Sequence, residues 1–453
     1  MSASPARAPR LEISPNPAFA DEDVRVCVHG LAASSLISIH AATEDDLGRR
    51  WSSEARFRAD AAGVTDASVH ESWGDSYRGA APMGLFWSME SAAASADGNS
   101  SFAKNTTLPD RVDFEAQLDG RVLARASLAR NFLAPGTSTR DLKIPNESDG
   151  KGAGAGVGAG ETTVGRLFIP PGRGPHPVVI ILSGSGGGFD FDKAAVLSRH
   201  GFATLALAYF GIAPLPTWLH LIPLEYFEAA LTWLYAQPEV DSQRTGILGI
   251  SRGAELALLL GSTFPQIRAL VAYAPSSVAW AASGRDKVTG ELIPCWTWRG
   301  KPVPFAPLPL RGFMWRSAFP VVALKRPVMF RNLFRAGLRN RDAVERAAIP
   351  VENIRGPILL ISGGDDHLWP AAEMSEAIVA RFQRNGSAHT AEHLHFAHAG
   401  HMLRYPHLPV TARESRNKHL RGARFSFGGT PEADAEAQAQ AWRRAIAFLR
   451  ANL

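Results

Sequence analysis

The chain has 453 residues, 45% of them hydrophobic and 20% charged, a balance that excludes a disordered or fibrous protein and predicts a soluble enzyme of two domains. Its formal charge of +5 comes without a dense Lys/Arg tract or a nucleic-acid motif, so nucleic acid is not an expected partner. Met1 to Arg10 lacks the apolar centre of a secretory signal, no run of eighteen apolar residues occurs, and Cys27 and Cys295 make no disulfide framework, so a cytoplasmic protein with no stable membrane insertion is expected.

From residue 10 to 140 apolar residues recur with period two. Val24–Val28, Leu36–Ile39 and Val112–Leu118 read as half-buried strands, and Asp119-Gly120 suits the positive φ angles of a tight hairpin before a returning strand at Val122–Leu128. Strands at this spacing predict a β-sandwich. NESDGKGAGAGVGAG follows from Asn146 to Gly160 with almost nothing to bury, and sets a linker or insertion at 141–162. Beyond it, nearly continuous apolar runs stand at Pro177–Leu182, Ala203–Ala208, Gly246–Ile250, Ala269–Tyr273 and Pro357–Ile361. Helical stretches at Glu225–Gln237, Arg252–Phe264, Ala372–Phe382 and Pro431–Leu453 separate or follow them. Such alternation predicts an α/β domain with a mostly parallel sheet over 163–453. Prolines and tryptophans interrupt it between 283 and 347, marking an insertion over the carboxyl edge of the sheet.

Gly249-Ile250-Ser251-Arg252-Gly253 is a G-x-S-x-G between an apolar strand and a helix, the context of a nucleophile elbow, although a helix-capping serine would share the letters. A serine hydroxyl needs a base to take its proton, and a carboxylate-held histidine is the usual one. In this fold the acid follows a late strand and the histidine comes last. Asp366, three residues after Gly363 and four before Pro370, is the chosen acid, with Asp365 close behind; His401, after a strand at Ala391–Phe396, is the chosen base ahead of His367 and His398. Gly184 to Gly188 lacks the lysine of a phosphate loop and instead offers bare amides. The N–H of Arg252 with that of Gly186 or Gly187 is the expected oxyanion hole. His389, His393, His395, His398 and His401 form a cluster without a carboxylate or cysteine at a tidy ligand spacing, so no metal is expected. From Arg311 to Arg341 eight basic residues and no acidic ones run among aromatics, a segment suited to a phosphate-bearing leaving group, an acidic membrane surface or solvent.

With these motifs placed, the chain resembles the type I acyl-CoA thioesterase and bile acid-CoA:amino acid N-acyltransferase family from about residue 15 to 453. The resemblance rests on Trp51 to Asp60 with Gly63, Pro82 to Met89, Gly184 to Gly188, Leu224 to Phe227, the elbow, Asp365-Asp366-His367, Gly400-His401 and Gly428 to Pro431 with Trp442. It implies a β-sandwich followed by an α/β-hydrolase domain, and a triad falling on Ser251, Asp366 and His401. It also implies an acyl thioester substrate, coenzyme A as part of that substrate, and no separate cofactor. Serine at the elbow, where acyl-transferring members resemble this chain but carry cysteine, favours hydrolysis through an acyl-serine. Acyl transfer to an amine or alcohol, carboxylic-ester hydrolysis and a non-catalytic binding role stay open. Acyl chain length and oligomeric state are not fixed by the sequence.

Overall fold

The computed structural model describes residues 8–91, 101–145, 161–286, 288–313, 318–417 and 423–453. The chain divides into two compact units, one of residues 1–133 with 404–426 and 430–439, the other of 134–403 with 427–429 and 440–453. The second unit is therefore not the uninterrupted 163–453 expected from sequence. Arg404–Ser426 joins the first unit through bonds such as Val410 N–H to the Trp87 carbonyl at 3.0 Å and Thr411 Oγ1 to the Met89 carbonyl at 2.6 Å.

The first unit is built from strands β1 (Arg10–Ser14), β2 (Ala18–Phe19), β3 (Arg25–His29), β4 (Leu36–Glu44), β5 (Arg50–Arg58), β6 (Thr65–Asp66), β7 (Asp110–Leu118) and β8 (Arg121–Asn131). They form a three-stranded sheet in the order β1-β3-β6 and a five-stranded sheet in the order β2-β8-β7-β4-β5. Along β4 burial alternates strictly, Ile37, Ile39 and Ala41 inward, as expected of a sheet with one wet face. The β7–β8 turn is the expected hairpin, with Asp119 at φ 50° and Gly120 at φ 76°.

The second unit centres on an eight-stranded sheet. Its strands are β9 (Ser138–Pro145), β10 (Glu161–Ile169), β11 (His176–Leu182), β12 (Ala203–Leu207), β13 (Val240–Ile250), β14 (Ile267–Tyr273), β15 (Ile358–Gly363) and β16 (Ala391–Phe396). Their order is β9-β10-β12-β11-β13-β14-β15-β16. The six strands from β12 to β16 pair in parallel, and β10 joins β12 and β9 antiparallel. Val178 to Leu182 are buried without alternation because helices cover both faces. Among the helices are α1 (Phe191–Ser198), α2 (Glu225–Tyr235), α3 (Arg252–Thr263), α4 (Leu310–Phe313), α5 (Phe319–Ala323), α6 (Arg331–Leu338), α7 (Arg341–Ala347), α8 (Ala371–Arg384) and α9 (Pro431–Asn452). The stretch expected as an insertion carries the short strands Leu292–Pro294 and Trp296–Trp298 and the helices α4 to α7.

The linker expected at 141–162 is corrected at both ends. β9 and β10 pair antiparallel across it and extend the hydrolase sheet, because Leu142 and Val164 have an apolar core to enter. The intervening glycine-rich tract, 146–160, lies outside the described residues.

Candidate active site

Strand β13 delivers Ser251 into a turn that ordinary residues avoid, at φ 57° and ψ −119°. Its own backbone holds it there. The Ser251 N–H donates to the Tyr273 carbonyl at 2.8 Å, and its carbonyl accepts from the amides of Ala254 and Glu255 at 2.9 and 3.0 Å. The flanking glycines answer to contact distance: a Cβ on Gly249 would stand 2.1 Å from the Gly253 carbonyl oxygen, and one on Gly253 2.3 Å from that of Ser183. Strand, turn and helix thus pack too closely for any side chain, and the serine is lifted where the sheet ends.

Asp366 lies in the turn after β15 and is 1% exposed; His401, in the loop after β16, is 3% exposed. The amides of Leu368 and Trp369 donate to Asp366 Oδ1 at 2.8 and 3.1 Å, and Oδ2 is 2.7 Å from His401 Nδ1. Asp365, the rival acid, is engaged elsewhere, with His367 Nε2 on Oδ1 and the Gly429 amide on Oδ2, both at 3.0 Å. His398 is exposed, and His393 and His395 flank the Ser362 hydroxyl at 2.8 and 3.4 Å.

Because β13, β14, β15 and β16 are parallel neighbours, Ser251, Asp366 and His401 all follow carboxyl ends of one sheet. Trp369 spans the gap. Ser251 bonds to Tyr273, the next residue Ala274 accepts from Trp369 Nε1 at 3.1 Å, and the Trp369 ring meets the His401 ring edge-on at 6.0 Å. With Nδ1 turned to Asp366, the imidazole has Nε2 for proton exchange. Among the described residues no hydrogen bond joins Ser251 Oγ to that ring.

Sequence reasoning missed the clamp made by Phe427 to Gly429. The Phe427 carbonyl accepts from the amides of His401 at 2.9 Å and His367 at 3.3 Å, and Gly428 bridges Asp366. A Cβ on Gly428, at φ 79°, would come 1.8 Å from the Asp365 carbonyl oxygen. The Gly-Gly pair was legible as a motif; its role depends on a contact 62 residues away in sequence.

The glycine loop after β11 passes beside the elbow, since a Cβ on Gly184 would stand 3.5 Å from Ser251 Cβ. Gly187 is corrected as an oxyanion donor, because its amide closes a turn onto the Gly184 carbonyl at 3.2 Å. Gly186 faces open space, and its amide has no backbone partner among the described residues. The Arg252 amide stands at the first position of α3, where no intrahelical acceptor exists.

The Arg252 side chain points into the protein. Nη1 bonds Glu255 Oε2 and Nη2 the Ala281 carbonyl, both at 2.8 Å, while Glu255 Oε1 accepts from Trp296 Nε1 at 2.8 Å and the Trp280 amide at 3.3 Å. Burial pushes the Glu255 carboxyl up against the pull of Arg252. Burial also pushes the Cys295 thiol up to about 12 and Cys27 up to about 11, so neither is a ready thiolate.

Residues 222–453 match the family described as BAAT / Acyl-CoA thioester hydrolase C terminal, and residues 21–144 the Acyl-CoA thioester hydrolase/BAAT N-terminal region. The chain belongs to this family. It is 30% identical over 439 residues to the peroxisomal succinyl-coenzyme A thioesterase of Mus musculus, spanning 96% of this chain and 94% of that one. It is 31% identical over 438 residues to acyl-coenzyme A thioesterase 1 of Homo sapiens, with 96% and 94% covered. To the mitochondrial acyl-coenzyme A thioesterase 2 of Mus musculus it is 32% identical over 442 residues, with 96% and 87% covered. The cytoplasmic placement expected from sequence is overturned by acyl-CoA thioester hydrolase relatives named for the peroxisome and the mitochondrion.

Proposed function

We propose that the chain hydrolyses acyl-CoA thioesters to free acid and coenzyme A through an acyl-serine at Ser251. The observation that carries the reading is the buried Asp366–His401 pair, 2.7 Å apart, on the sheet edge where Ser251 is held at φ 57°, in a chain of the acyl-CoA thioester hydrolase family.

Ser251 Oγ adds to the thioester carbonyl as His401 Nε2 takes its proton. Asp366 fixes the ring tautomer and balances the charge that the ring gains. The amides of Gly186 and Arg252 hold the oxyanion, a donor of this kind contributing roughly 10²–10³ in rate. The tetrahedral adduct collapses, the C–S bond breaks, and His401 returns the proton to the departing sulfur. Water then adds to the acyl-serine as His401 takes its proton, the C–O bond to Ser251 breaks, and the serine recovers its hydrogen. No electron is gained or lost, so these steps call for no redox group.

The test is Ser251→Ala assayed by thiol release from acyl-CoA. Turnover falls by roughly 10³-fold or more while the melting temperature holds or rises; near-normal turnover would remove Ser251 from the chemistry.

A further inference from the structure

Between Glu291 and Asp342 the chain carries ten Lys or Arg residues and no Asp or Glu, whereas over the whole sequence 48 basic residues meet 43 acidic ones. Internal bonds account for only part of this excess. Arg331 reaches the Gly364 carbonyl at 3.3 Å and Arg335 pairs with Glu373, while Lys301, Arg326, Arg339 and Arg341 are exposed.

Large apolar side chains are exposed in the same stretch. Leu324 is 67% exposed, Phe319 48%, Val322 39% and Leu310 36%. They are not a loose coil. Ala318, Val328 and Phe313 are buried and root the segment in the unit, with the Phe313 and Phe330 rings 6.0 Å apart. After α5 the backbone reverses sharply: the Lys325 amide donates to the Val322 carbonyl at 2.9 Å, the Arg326 amide to that of Val321 at 3.0 Å, and Lys325 stands at φ 54°. The reversal makes a knuckle with Phe319, Val322 and Leu324 on it and Lys325 and Arg326 directly following.

We propose that this knuckle, Phe319 to Arg326, docks the protein reversibly on an anionic phospholipid surface. Apolar side chains enter the headgroup region while the adjoining cations meet lipid phosphate and carboxylate, the pairing that interfacial segments use. A purely apolar protein partner would not call for two exposed cations directly beside the apolar side chains, and a purely polyanionic ligand would not call for exposed leucine, valine and phenylalanine. Docking also suits the chemistry. α6 of the same insertion reaches the site, Phe334 lying 5.5 Å from Trp369 and Trp369 6.0 Å from His401. On the thioesterase reading, which this step rests on, an amphiphilic acyl-CoA held in a bilayer would be met where it resides.

The test is cosedimentation of the full chain with phosphatidylcholine vesicles, with and without one-third phosphatidylserine. Binding to the anionic vesicles alone is expected, falling ten-fold or more when salt rises from about 0.1 to about 0.5 M. A Phe319→Asp, Leu324→Asp double variant with unchanged circular dichroism should lose at least ten-fold in binding and still hydrolyse a short, water-soluble acyl-CoA at the parent rate. Lys325→Glu, Arg326→Glu should behave likewise. Equal binding to neutral and anionic vesicles, no binding to either, or undiminished binding by the Asp variant overturns the proposal. So does a raised KM for the soluble substrate in the Glu variant with vesicle binding intact, which would assign those cations to the phosphates of coenzyme A. Sedimentation needs no turnover, so failure of the thioesterase reading shows separately, as absent hydrolysis of the soluble substrate.

Discussion

Ser251 sits at φ 57° between Gly249 and Gly253, two positions at which a side chain would meet backbone within 2.3 Å. Strain of this kind costs of order 1–3 kcal/mol and is kept where it positions a reacting atom. At the acid, the two adjacent aspartates make a sharp contrast. Asp366→Asn should keep the turn yet lose the charge beside His401, lowering kcat by about 10⁴-fold. Asp365→Asn, at a carboxylate bonded to His367 and the Gly429 amide, should lower it less than about ten-fold. Steady-state kinetics on the pair decides between them, and the reverse order of severity would move the acid to Asp365. The placement of Ser251 and His401 after the ends of neighbouring strands was legible because those strands are recognisable in the sequence. The choice between Asp365 and Asp366 was not settled by spacing, since neighbouring residues satisfy it almost equally and only the direction of Oδ2 separates them.

At the scale of elements, α3 carries its own prediction. Its buried Arg252–Glu255 pair gathers Ala281, Trp280 and Trp296 around the first turn after Ser251. Glu255→Leu would leave the guanidinium buried without a counter-charge and should destabilise the fold by about 3–5 kcal/mol, read by urea titration. An unchanged midpoint would mean that the carbonyls alone satisfy Arg252. Gly253→Ala drives a methyl 2.3 Å from the Ser183 carbonyl oxygen and should cost more than about 3 kcal/mol. The i, i+3 spacing of Arg252 and Glu255 was visible in the sequence, but their partners were not, because Trp280 and Trp296 arrive from a segment whose prolines hide any period. The Phe427–Gly429 clamp was hidden for the same reason: its meaning lies in backbone carbonyls, which every residue type shares.

For the molecule as a whole, the two units were foreshadowed by two periods, alternation in the first and unbroken apolar runs in the second. The boundary between them was misplaced because β9, the edge strand, and β10, its neighbour, flank a glycine-rich tract, and composition there outweighed the apolar signal of Leu142 and Val164. In the first unit, burial depresses the His407 pKa below its ordinary 6.5 despite Asp23 at 2.9 Å. A depressed folded-state pKa means that the unfolded chain binds the proton more readily. This contribution to stability is therefore present above pH 6.5 and lost as pH falls through the folded value. Melting temperature followed downward from about pH 7.5 should decline, and His407→Gln should flatten that decline; an identical slope in the variant would remove His407 as a source.

The central claim is that the acyl group passes through Ser251. Rapid-quench mass spectrometry of the protein mixed with excess acyl-CoA tests it directly. A mass increment of one acyl group, mapped to the peptide that holds Ser251 and absent from Ser251→Ala, is the predicted result; an acyl group on another residue, or full turnover by the alanine variant, would contradict it.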